Sequence, residues 1–161
     1  MTLTLTEDEF IEFLKSPKFV EKPLKYQQKN NASYQMAQTL VRCPDFPELN
    51  LRMISQYHIS RNPRKFSILL LANNERIFAI DVNPGTTHTN PNTLKTVRVV
   101  RGSHWQIYPD VKTAIPNNID RTHQQWVADF LRQCSIQIEG GYTAPVFEVE
   151  NLQLDLLGGE A

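Results

Sequence analysis

Glycine is scarce in this chain and almost absent from its first part. Six are present, and only Gly85 and Gly102 precede residue 140. Glycine-rich phosphate loops are therefore excluded: there is no GxGxxG and no loop ending in GK[ST]. HExxH and GxSxG are missing too, which removes the common metallopeptidase and serine-hydrolase chemistries. The two cysteines, Cys43 and Cys134, lie far apart without CxxC spacing. That excludes a disulfide scaffold and a cysteine zinc site, and reduced, partly buried thiols are expected. The longest apolar run, Ile68 to Ala72, is far too short for a membrane helix. The first residues lack the basic start and apolar stretch of an export signal, so a cytoplasmic location is expected.

What remains has the composition of a globular chain: 161 residues, 40% hydrophobic and 21% charged. This length suits one core, so residues 1–157 are read as a single domain and 158–161 as a flexible tail. Thr6-Glu7-Asp8-Glu9 ahead of Phe10, Phe13 and Leu14 is a capping box, predicting a helix to about Ser16, before Pro17. A second helix is predicted from a cap at Asp120 or Thr122 through Cys134, because Trp126, Val127, Phe130 and Leu131 recur at helical spacing.

Between these helices the period changes to two. Residues 51–60, 66–71 and 76–82 alternate and are separated by Asn-Pro and Asn-Asn turns, which predicts an antiparallel meander. Residues 34–42, 94–100, 104–108 and 143–149 are further strand candidates, whereas 18–33 and 43–50 read as irregular. Ile59, Phe78, Ile80, Trp105 and Ile107 are expected on the covered face. The fold class is α+β, an antiparallel sheet with helices packed on one side.

Charge is zero overall but segregated. Residues 52–112 carry a net +6 and residues 113–161 a net −5. The basic middle can present a face to a polyanion, or the acidic part can neutralise it within the fold.

Histidine is the chemically informative residue type. His58 and His104 fall on the polar sides of their strands. If those sides coincide, they form a cluster with Arg52 and Tyr108 able to move protons, with Arg101 offsetting charge on an oxyanion. Arg61, Arg64, Lys65 and Arg98 are candidates for a phosphate-gripping rim. Asp81, His88 and His104 supply one carboxylate and two imidazoles, an alternative set for a divalent metal, although no cofactor is required by any motif. The plainer reading makes Asp81 and Asn83 stabilisers of their turn. His123, at a helix start unfavourable to positive charge, reads as a surface residue of a first turn. Cys134 reads as core.

Tyr57-His58, Asp81-Val82-Asn83-Pro84-Gly85, His88, Asn90 and Gly102-Ser103-His104-Trp105 together resemble the motif set of a small prokaryotic protein family, a likeness that implies no activity. Two functions are expected from the residues. The first is a non-catalytic protein-binding or assembly role, with a protein partner or self-association and no membrane. The alternative is a nucleic-acid-acting protein, a small histidine-dependent ribonuclease.

Overall fold

Thr6 begins the first helix in the way its sequence requires. Its hydroxyl accepts from the Glu9 amide at 3.1 Å, and Glu9 Oε1 accepts from the Thr6 amide at 3.0 Å. The structure, a computed structural model, describes residues 3–28, 33–60, 65–83, 87–90, 99–117, 119 and 121–145. In chain order its elements are α1 (Glu7–Lys15), β1 (Lys18–Val20), β2 (Gln27–Gln28), β3 (Tyr34–Val41), β4 (Leu51–His58) and β5 (Phe66–Ala72). There follow β6 (Glu75–Val82), β7 (Thr87–Thr89), β8 (Val99–Arg101), β9 (His104–Ile107), β10 (Asp110–Pro116), α2 (His123–Gln133) and β11 (Ile136–Ile138).

The main sheet has seven antiparallel strands in the order β10-β9-β6-β5-β4-β3-β2. Strand dominates and two helices accompany it, so the architecture is broadly α+β. Among the described residues, no helix is long and apolar enough to cross a membrane.

Local chemistry accounts for the meander. Asn73 and Asn74 both take positive φ, 51° and 66°, which makes the two-residue hairpin between β5 and β6. Leu51, Met53, Ser55 and Tyr57 of β4 are buried, and so are Phe66, Ile68, Leu70 and Ala72 of β5. Phe130 of α2 meets Phe78 with ring centroids 5.7 Å apart, and His123 meets Phe66 at 4.4 Å. At the other helix, Phe10 packs on Tyr108 at 5.3 Å and Phe13 on Phe46 at 5.4 Å. Phe78 and Ile80 are buried as expected, while Trp105 and Ile107 are half-buried against the core. Ile59 is a correction: it lies one residue past the end of β4 and is 44% exposed, because the alternation stops with the strand.

The stretch read as irregular contains β1 and β2. β1 pairs in parallel with β11, joining the start of the chain to the residues after α2. Lys18 explains that junction. Fully buried, its Nζ donates to the carbonyls of Phe13 at 2.5 Å, Leu14 at 3.5 Å, Ser16 at 3.0 Å and Cys134 at 2.7 Å, and lies 4.2 Å above the Phe13 ring. A cation thus satisfies carbonyls at the C-terminal ends of both helices, where the helix dipoles favour positive charge. Burial lowers the Lys18 pKa, and the neighbouring Cys43 and Cys134 oppose that shift. Both cysteines are buried and free.

Residues 143–145 are not in a strand, and 146–149 of that expected strand lie outside the described residues. The same holds for 94–98 of the expected strand at 94–100, for Gly85 and for the tail at 158–161.

Candidate functional site: Asp81, His104 and His88

Strand register assembles the site. Gln56 pairs with Ser67, Ser67 with Asp81 and Asp81 with His104, so these four side chains form a row across β4, β5, β6 and β9. By strand alternation the row projects from the face opposite Phe66, Ile68 and Leu70.

His104 is 3% exposed. Its Nδ1 lies 3.1 Å from the Gly102 carbonyl, at a turn where Gly102 adopts φ 82°, a conformation a side chain would strain. A carbonyl oxygen only accepts, so Nδ1 carries the hydrogen, and in the neutral form of the ring Nε2 is the acceptor. That nitrogen stands 3.9 Å from Asp81 Oδ2, on a carboxylate whose side chain is 46% exposed. The gap exceeds a hydrogen bond. It matches a separation at which one further oxygen contacts both atoms.

His88 comes from the β7–β8 hairpin, where it pairs with Val100. Its ring centroid lies 5.3 Å from that of His104. The hairpin is fastened near the sheet edge by buried Asn90, whose Oδ1 accepts from the Ala114 amide at 2.6 Å and whose Nδ2 donates to the Ala114 carbonyl at 3.2 Å. Two imidazoles and a carboxylate therefore meet in one corner, a set able to accept, donate and stabilise protons. Among the described residues, no group of three or more His, Cys, Asp or Glu side chains is placed to hold a metal ion, although His104 neighbours both Asp81 and His88.

The other expected site residues are distributed differently. His58 shares the face of His104 but belongs to β4, three strands from β9, a lateral separation of about 14 Å at ordinary strand spacing. Its Nδ1 lies 3.2 Å from the Ser60 amide, and its ring meets Tyr34 edge-on at 5.1 Å. The expected meeting of His58 with His104 is corrected by that spacing. Arg52 is six residues farther along β4, about 20 Å from His58, and donates to Asn74. The Tyr108 hydroxyl is engaged with the backbone of Leu5. Arg101 is exposed on β8 opposite Thr87. Lys65 lines a small polar hollow that also contains Asp81. Arg61, Arg64 and Arg98 lie outside the described residues.

His123 is not a surface residue. It is 1% exposed, with Nε2 2.5 Å from the Tyr142 hydroxyl and 3.3 Å from that of Tyr26, which in turn lies 2.7 Å from Ser55 Oγ. Burial lowers its pKa to about 4 and raises the pKa of Tyr142 and Tyr26. This network ties α2, β4 and the residues before β2 and after β11 together. Its sequence signal was available: His123 lies three and four residues before Trp126 and Val127, on the helix's apolar stripe.

Comparison with protein-family models, with curated proteins and with solved structures gives no match for this chain.

Proposed function

We propose that this protein cleaves RNA by proton transfer at the Asp81–His104–His88 corner. The observation that carries the reading is the pairing of an acceptor Nε2, set by the Gly102 carbonyl, with a second imidazole 5.3 Å away. His104 Nε2 takes the proton of a ribose 2′-hydroxyl as that oxygen bonds to phosphorus. The bond from phosphorus to the 5′-oxygen breaks, and protonated His88 supplies that oxygen with a proton. The products are a 2′,3′-cyclic phosphate and a 5′-hydroxyl, with no metal called for. Asp81 stabilises the imidazolium formed on His104. Both helices lie behind the sheet in this proposal, on the Phe66 and Phe78 side, and the ligand reaches the buried His104 past half-exposed Asp81.

The test is incubation with single-stranded RNA and with the equivalent DNA, in excess chelator. Cyclic phosphate ends from RNA alone are the expected outcome. RNA left intact by the parent protein overturns the reading.

A second reading, a non-catalytic assembly role through self-association, is favoured by a different place. A cleft of about 740 Å³ borders β1, the end of β3 and the 43–50 loop, with Phe19, Val41, Phe46 and Leu49 among its lining. Leu40 at its mouth is 79% exposed, an apolar side chain that association would cover. Solution mass in low and high salt, repeated for Leu40→Asp, tests it. A monomer at every concentration ends this alternative.

A further inference from the structure

We infer that the hollow bounded by Asp81, next to His104, reads the edge of a guanine base, so that cleavage falls at guanosine. The inference rests on the RNA reading and adds the nucleotide that the site selects. The hollow has a volume of about 60 Å³ and is bounded by Tyr34, Gln56, Lys65, Ser67, Asp81 and Asn83. That is small beside the several hundred Å³ of an ordinary ligand pocket, so only the edge of a ring is asked to enter it. Asp81 is shared with the histidine corner, 3.9 Å from His104 Nε2. A group seated in the hollow therefore has its neighbouring atoms beside the proton-transfer residues.

The chemistry of the lining selects among groups. Lys65 only donates and Asp81 only accepts, with the Gln56 and Asn83 amides and the Ser67 hydroxyl able to do either. A bare phosphate would meet the Asp81 carboxylate as a like charge. A base edge with donors and acceptors side by side meets both signs. Guanine provides this: its N1–H and N2–H suit one carboxylate, while the adjacent O6 and N7 accept from an ammonium. Adenine and cytosine offer a carboxylate only one amino group, and uracil only one ring N–H. Tyr34, on the same sheet face, provides an aromatic surface at the rim of the hollow on which a base can stack.

The experiment uses short single-stranded RNAs in which one guanosine, adenosine or cytidine stands within uridines. Cutting after guanosine at least tenfold faster than after any other nucleotide is expected. In Lys65→Met that preference should fall at least fivefold, whatever happens to the overall rate. Equal cutting at every nucleotide overturns the base reading and leaves RNA cleavage standing. Should no RNA be cut, the RNA reading fails separately, and titration with guanosine and adenosine monophosphates decides the hollow. Tenfold tighter binding of the guanosine compound, weakened by Lys65→Met, supports it. Equal or undetectable binding of the two removes it.

Discussion

Asp81 and His104 stand directly opposite each other on β6 and β9, yet the nearest polar atoms of their side chains are 3.9 Å apart. Nδ1 of the histidine is held by the Gly102 carbonyl, so the ring is oriented from the far side and the carboxylate is left to respond to a ligand. Replacing Asp81 with Asn keeps shape and removes charge. Activity on RNA should fall on the order of a hundredfold, the scale of acid–base contributions. The thermal transition should stay close to the parent because the side chain is half-exposed. A large drop in the transition, with activity per folded molecule unchanged, would show a structural carboxylate.

His88 and His104 should separate function from folding. His104 is buried and hydrogen-bonded, so His104→Ala is expected to cost about 1–3 kcal/mol in urea denaturation as well as activity. His88, only half-buried on a three-residue strand, should tolerate alanine with a near-parent midpoint while cleavage drops at least a hundredfold. Full cleavage by His88→Ala would remove it from the reaction.

Acid should destabilise the protein through His123. Its pKa is about 4 in the folded chain against an ordinary 6.5, so the unfolded state binds the proton first as pH falls. The contribution is complete above about pH 6.5 and is lost between there and pH 4. At 1.36 kcal/mol per unit, the loss approaches roughly 3 kcal/mol. Urea midpoints for the parent and for His123→Gln across that window check this, and the variant's profile should be flatter. Identical slopes would place the acid sensitivity elsewhere.

Lys18→Met should be among the most destabilising single changes in the chain. It removes the donor to four carbonyls at the two helix ends and leaves buried acceptors without their partner. A loss of about 2–5 kcal/mol is expected from chemical denaturation. An unchanged midpoint would mean that relief from burying the charge offsets the lost bonds.

Phe130→Ala should cost about 3–5 kcal/mol, since the ring is fully buried against Phe78 and leaves a cavity. An unchanged denaturation midpoint would place the apolar stripe of α2 outside the core.

Local signals were legible wherever one residue's neighbours in sequence decide its conformation. The capping box of Thr6 with Glu9 is present, and of the two caps expected for the second helix Thr122 is the one at its start, its hydroxyl accepting from the Gln125 amide. The Asn73-Asn74 hairpin and the alternating burial of β4 and β5 follow from short-range sterics and period-two patterning. Three-residue β1 and β11 were not legible, because a strand that short carries no period and is held by a parallel partner more than a hundred residues away. Lys18 was hidden for a related reason. Nothing in a lysine's neighbours announces that two helix ends will converge on it.

Residue types at the candidate site could be named from the chain: Asp81, His88 and His104 all stand beside turns. Their meeting could not. Strand order puts β6 beside β9 and keeps β4 two strands further off, so His104 faces Asp81 and not His58. The amino-acid sequence by itself determined the helices, the meander and the supply of proton-active groups, all consequences of local propensity and apolar periodicity. Only the tertiary structure decided which of those groups share a corner and which, like His123, enter the core, because register across non-adjacent strands is set by packing of the whole sheet.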